Sequence, residues 1–472
     1  MTIRTRLRTW NLLVSTIIST LLGVGQVLYA NPPQPKPALK NSFLEVSKEL
    51  DMGGSHFKYQ SYENVKGVLD RLEAILPKEL DKKIPEGQLD VEHIKNALKS
   101  LRKTSGLGEI SGRGSSSFAL GPNLYRNREF THHYPESNQG ILWKLFGAKP
   151  HEQEILELLP DDTAAVFHTD LDVVEVRDWM KGFLNEHFSD QAQSFNENMM
   201  MGLMGPILQS YGGELGVALI LDSEENINLP DPNDLGPRRD IPAPGLLLSV
   251  KTKNNLIYSL VKATLQGMEM AEIKQIHGKE VVEIMLPPDT TEPLREMKLN
   301  IQPMLFEVNG YLMLSSTGKI AQQVLAVQAG DQAGLLANKE FQGFSENLNL
   351  EGNQITYVSE RASRLPEELL NTIGRAFADA SMIGAIGFTL IELIVVMALA
   401  PAVLGFTEMG KTGLSILRVQ TNGIARDGCH TSGYNNSMYS FSLAAVIGGA
   451  AFAMISPVLA RAKEKAELQK EE

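Results

Sequence analysis

Leu305-Phe306-Glu307-Val308-Asn309-Gly310-Tyr311-Leu312-Met313-Leu314-Ser315 places two apolar runs on either side of an Asn-Gly pair. Asn-Gly tolerates positive φ at both central positions of a two-residue turn, so the stretch reads as a β-hairpin, the strongest such signal in the chain. Upstream, 272–285 reads as a second hairpin, turned at His277-Gly278-Lys279. Downstream, the spacing predicts a helix over 318–327, then a strand over 354–359 that leads into a helix over 366–378.

The same grammar extends toward the N-terminus. A strand over 163–168 precedes a helix over 173–188 and a Met-rich helix over 194–210. A buried strand over 214–221, a Pro/Asp/Asn-rich loop over 228–244, a strand over 245–251 and a helix over 255–266 follow. The phrase 159–186 repeats in outline as 350–377, a loose internal duplication. Strand–helix steps broken by hairpins predict an α+β domain over 151–380, with mixed or antiparallel sheet and packed helices. Before it, 42–150 reads as a mainly helical region with a hairpin or long loop. Stretches 62–76 and 90–105 carry apolar residues at helical spacing, and 106–140 turns to Gly, Ser and aromatics around Gly121-Pro122-Asn123. A soft boundary is expected at 140–150.

The ends of the chain differ from this body. Arg4, Arg6 and Arg8 precede an apolar run over 12–28, in the order of a secretory signal peptide over 1–30 cut between Ala30 and Asn31. A Pro-rich linker occupies 31–41. At the other end, 381–406 and 438–460 are each long enough to cross a bilayer. Between them 407–437 reads as a polar loop, with Cys429 as a native probe of the side it faces, and 461–472 is a charged tail. Ala445, Gly449 and Ala453 fall four apart, a small-residue stripe that lets membrane helices pack closely. C-terminal membrane helices are therefore expected.

Within the first of these runs, Gly387-Phe388-Thr389-Leu390-Ile391-Glu392-Leu393-Ile394-Val395-Val396 closely resembles the processing site of type IV pilins and of the pseudopilins of type II secretion. The stretch 456–466, a proline followed by an Ala/Arg/Lys-rich continuation, resembles the back half of the pilin helix. The resemblance implies cleavage after Gly387, methylation of the Phe388 amine, and Glu392 as the carboxylate that pairs with a neighbouring subunit during assembly. That peptidase works at the cytoplasmic face, whereas a secretory signal at 1–30 places residue 387 outside. In overall grammar the remaining body resembles uncharacterised bacterial exported α+β proteins.

The chain has 472 residues, a net charge of −12 and one cysteine. That acidity, without a Lys/Arg stripe interleaved with aromatics, excludes nucleic acid as a partner. Gly106 to Gly112 misses the dinucleotide spacing. His132-His133, His151-Glu152 and His168-Thr169-Asp170 lack a metal-binding partner at helical or finger spacing. Ser115-Ser116-Ser117 is not framed as a nucleophile, Asp161-Asp162 reads as a turn, and Met199, Met200, Met201 and Met204 read as core filler. No catalytic residue, metal or cofactor is expected. The expected function is a non-enzymatic extracytoplasmic protein held by its C-terminal hydrophobic region and linked to pilus or type II secretion assembly. Its expected partners are the lipid bilayer, signal peptidase and pilus or secretion-system subunits. The alternatives are a pseudopilin-like subunit released at Gly387/Phe388 and a secreted enzyme whose site is dispersed in sequence.

Overall fold

The computed structural model describes residues 41–62, 91–147, 149–187, 204–229, 239–285, 301–365 and 412–433. Its strands are β1 (His56–Ser61), β2 (Ile110–Gly121), β3 (Leu124–His133), β4 (Thr163–Asp170), β5 (Tyr211–Leu229) and β6 (Arg239–Thr252). They continue as β7 (Ala271–Ile276), β8 (Lys279–Ile284), β9 (Met304–Val308), β10 (Tyr311–Ser315), β11 (Gln354–Val358), β12 (Gly413–Gln420) and β13 (Gly423–His430). All thirteen join one sheet in the order β1-β2-β3-β13-β12-β11-β4-β5-β6-β10-β9-β8-β7. Every pairing between these strands is antiparallel.

Period-two alternation gives the sheet two apolar faces. On one, Val166, Ala218, Phe306, Ile355, Tyr357, Leu414 and Ile416 pack with α6 (Gly318–Ala329) and α7 (Lys339–Ser345). Phe341 of α7 meets the Tyr357 ring edge-on at 5.2 Å. On the other face, Phe167, Val217, Leu219 and Leu248 pack with the 3-10 turn Ile141–Trp143 and with Val173 and Val176 of α3 (Val173–His187). Farther along that face α5 (Leu256–Gly267) covers Val282, Leu305 and Leu312, with α4 (Met204–Ser210) beside it. A short α1 (Ser42–Lys48) lies over β2 and β3, and α2 (Val91–Ser105) contacts α3. Phe43 N–H is accepted by Asn41 Oδ1 at the start of α1, and Thr317 and Asn338 cap α6 and α7 in the same way. Among the described residues no helix is long and apolar enough to cross a membrane, and 381–406 and 438–460 lie outside them.

Both Asn-Gly and His-Gly turns form as expected. Asn309 and Gly310 have φ of 47° and 77°, and His277 and Gly278 have 47° and 71°. The turn at 121–124 also forms. A Gly310→Ala chain should lose about 1 kcal/mol in a urea titration, because only the left-handed backbone is penalised there. The built Cβ meets nothing closer than 3.7 Å. An unchanged midpoint would contradict the turn assignment.

Several expectations are corrected. Among the described residues 42–150 is not set apart from the body at 140–150: β1 falls within the stretch read as helical, and the β2–β3 hairpin joins the main sheet through β13. The helix expected over 62–76 lies outside the described residues beyond Tyr62. The loop expected over 228–244 is shorter, since β5 runs to Leu229 and β6 begins at Arg239, paired with each other. The polar loop expected over 407–437 instead supplies β12 and β13 to the middle of the sheet. Thr421 and Asn422 turn β12 into β13, and unlike Asn309, Asn422 does not adopt a positive φ. Cys429 is consequently buried, and burial pushes its thiol up to about 11. It should resist maleimide in the native protein and react once unfolded; fast native labelling would mean the hairpin is not in the sheet.

The strand order has a two-fold pattern. β4 and β11, adjacent and antiparallel at the centre, start 191 residues apart, at 163 and 354. From that pair outward β5 corresponds to β12, β6 to β13, β10 to β3, β9 to β2 and β8 to β1. Each half therefore hands its last strand to the other: β6 pairs with β10, and β13 pairs with β3. Of the loose repetition between 159–186 and 350–377, the strands β4 and β11 form the centre of this pattern, and the helix expected over 366–378 lies outside the described residues.

Candidate functional site

At the end of β4 a cleft of about 400 Å³ opens beside β5 and the start of α3. Gly147, Lys149, His151, Asp170, Asp172, Tyr211, Glu214 and Lys253 are among its walls. Alternation along β4 turns His168 and Asp170 to the same face as core residue Val166, and alternation along β5 brings Glu214 and Gly216 beside them. Gly216 makes room for an imidazole, since a Cβ there would stand 2.6 Å from His168 Cδ2.

Asp170 is fully engaged. Its Oδ1 accepts from His151 Nε2 at 2.9 Å, and its Oδ2 accepts from Asn353 Nδ2 at 3.0 Å. The other His151 nitrogen, Nδ1, lies 2.7 Å from the Glu152 carbonyl, which can only accept. With both ring nitrogens donating, His151 is an imidazolium, and the Asp170 bond raises its pKa to about 9. His168 is the opposite case. Gln153 Nε2 donates to the Gly352 carbonyl, which turns Gln153 Oε1 toward His168 Nδ1 at 3.0 Å and fixes the proton on that nitrogen. Nε2 is left without a hydrogen-bond partner, 3.6 Å from Glu214 Oε2. Burial, with the His151 and Lys251 charges nearby, depresses His168 to about 3, so it is neutral.

Glu214 is raised above the usual carboxylate range by burial, although Tyr311 Oη donates to it and Lys251 opposes the shift. Lys251 Nζ also stands 4.2 Å from the Tyr311 ring centre. Tyr211 completes the wall: its hydroxyl is buried, makes no hydrogen bond, and is pushed well above the usual tyrosine range by that burial.

The His151 imidazolium is held at both nitrogens and His168 is sealed at 0% exposure. Among the described residues no Ser, Thr or Cys lines the cleft. Three serine–histidine pairs lie elsewhere among the described residues, one of them His56 Nε2 with Ser115 Oγ at 3.2 Å. Ser415 Oγ is 3.0 Å from His430 Nε2, but the Asn127 amide nitrogen donates both to His430 Nδ1 and to the Ser432 carbonyl. That places the His430 proton on Nε2, donating to Ser415, the reverse of what a general base needs. Ser111 Oγ lies 2.6 Å from His132 Nδ1, with both residues buried beneath Ser42 of α1.

Of the residues singled out in the sequence, Ala30, Asn31, Gly387, Phe388, Glu392, Ala445, Gly449 and Ala453 lie outside the described residues. His151, His168 and Asp170 are brought together, which spacing could not reveal because His151 precedes the strand that carries the other two. Glu214, Tyr211 and Asn353 carried no local signal. His133 packs against Trp143 with ring centres 4.2 Å apart and planes tilted by 40°, and Asp162 pairs with Arg361 at 3.3 Å. The serines 115–117 are buried in β2, where Ser116 Oγ accepts from the Asp51 amide. Among the described residues no group of three or more His, Cys, Asp or Glu side chains is placed to hold a metal ion. Set against protein-family models, curated proteins and solved structures, the chain matches none of them.

Proposed function

We propose that the chain is an exported, non-enzymatic protein whose folded body works outside the cytoplasm and holds a small polar ligand in the β4–β5–α3 cleft. The mixed charge of the cleft walls carries this reading. Cationic Lys149, His151 and Lys253 and acidic Asp172 and Glu214 share the walls, so the ligand must offer both donors and acceptors. Export is supported by the basic, apolar and small-residue order of residues 1–30, with signal peptidase cutting between Ala30 and Asn31. A thermal-shift screen with small amino acids, sugars and polyols tests the cleft, using Lys253→Met as control. A ligand that raises the wild-type midpoint should shift the variant less. Equal shifts in both proteins would place binding elsewhere and overturn this reading.

The apolar runs 381–406 and 438–460 favour a second reading, in which the C-terminal region anchors the protein in the bilayer and it serves pilus or type II secretion assembly. Mass spectrometry separates its two forms. An intact chain beginning near Asn31 fits the anchor, and a product beginning at a methylated Phe388 fits a released pseudopilin-like subunit.

A further inference from the structure

β7 closes one end of the sheet, and among the described residues it pairs with β8 alone. The turn fixes which way its backbone groups point. His277 and Gly278 form a two-residue loop, so Ile276 and Lys279 exchange both backbone bonds, and bonded pairs recur at every second residue. Lys274 and Glu272 therefore bond to β8, and the Met285 N–H donating to the Met270 carbonyl continues the series. The N–H and C=O groups of Ala271, Ile273 and Gln275 point the other way, off the end of the sheet.

Such an edge is ordinarily blunted by a proline, a bulge or an unmatched charge. β7 has no proline, and its register with β8 runs from Ala271 to Ile276 without a shift. Ile273 is 41% exposed, and Met268 and Met285, 41% and 52% exposed, add apolar surface around the start of the strand. The two charges of β7, Glu272 and Lys274, are opposite in sign and lie on one face. They select a partner. Bring two copies of β7 together antiparallel, with Ile273 on the two-fold axis. Ala271, Ile273 and Gln275 then exchange both their bonds with Gln275, Ile273 and Ala271 of the second copy, and each Glu272 stands opposite a Lys274. Moving the axis one residue either way sets Glu272 against Glu272 or Lys274 against Lys274, and a parallel in-register pairing does both. β1, at the opposite end of the sheet, has Lys58 and no acidic residue, so it offers no such register.

We propose that two copies of the chain dimerise through β7, continuing the antiparallel sheet across a two-fold axis at Ile273. The occupant of the edge is a second copy because the charge pattern of the strand is complementary to its own reverse. On the face shared with α5, Ile273 meets Ile273 of the second copy beside Val282. On the other face, the two Glu272–Lys274 pairs close the seam. β6, β10, β9 and β8 lie between this edge and β5, so the dimer is independent of the ligand reading of the cleft.

The test uses the purified full-length chain in mild detergent. Two Ile273 residues bonded across the axis stand about 5.5 Å apart at Cα, within disulfide reach, and Cys429 is buried and does not compete. Ile273→Cys should therefore give a disulfide-linked dimer on mild oxidation. Gln275→Cys should not link to itself, since its two copies stand roughly 14 Å apart along the strands, but it should link to Ala271→Cys when the two variants are mixed. In sedimentation across a concentration series, Glu272→Lys should weaken the wild-type dimer roughly tenfold, and adding Lys274→Glu should restore it. A wild-type chain that stays monomeric throughout the series, equal self-linking at 273 and 275, or a dimer indifferent to both charge variants would overturn the proposal.

Discussion

A chain ending at residue 411 should not fold. It lacks β12 and β13, which sit between β11 and β3 in the middle of the sheet. Leu414, Ile416, Leu417 and Ile424 are each no more than 6% exposed, and losing four such side chains removes about 6–12 kcal/mol of burial. A protein of this kind has only about 5–15 kcal/mol in total. The truncation also bares the backbone edges of β11 and β3, which invites aggregation. Gel filtration and urea unfolding should show no monomer with a cooperative transition. A well-folded monomer would mean that the hairpin is an appendage. The same reasoning gives an expected result for a cut between Gly387 and Phe388: the two fragments stay together by sheet pairing and separate only in denaturant. Release of a free pseudopilin-like subunit therefore requires unfolding the body.

Removing the Asp170 carboxylate should produce the next largest effect. Asp170→Ala leaves the His151 imidazolium and the Asn353 amide without their acceptor, although Asn353 Nδ2 keeps the Lys149 carbonyl at 2.9 Å. Breaking a buried pair costs about 3–5 kcal/mol, but the His151 side chain is 38% exposed and solvent screens it. We expect a loss of about 2 kcal/mol at neutral pH. The pH profile identifies the cause. His151 is raised from 6.5 to about 9 in the fold, so its contribution is complete below pH 6.5 and is lost as pH rises through about 9. His168 is depressed from 6.5 to about 3, so its contribution is complete above pH 6.5 and is lost as pH falls toward 3. Together they give the wild type a maximum near pH 6.5. In Asp170→Ala the alkaline limb should flatten while the acid limb persists. An unchanged alkaline limb would show that His151 is not the titrating group.

Most strands and helices within 163–359 were legible in the sequence, because periodicity and turn chemistry are local, although β5 and β6 run longer than their apolar cores, α7 went unread, and 194–203 lies outside the described residues. Asn309-Gly310 and His277-Gly278 dictate positive φ whatever surrounds them, and the apolar runs of β4, β5 and β6 are too continuous to be exposed. Only the tertiary structure decided where the polar stretch 413–430 belongs, since its alternation has meaning only with β3 and β11 on either side. It also decided that His151, His168, Asp170 and Glu214 share one cleft: bringing residue 151 to residue 214 depends on strand pairing, which acts through hydrogen bonds between distant segments and leaves no spacing to read. Of the two-fold order of the sheet, only the outline repeat of 159–186 in 350–377 was visible beforehand, because pairing partners rather than side-chain identities carry the rest.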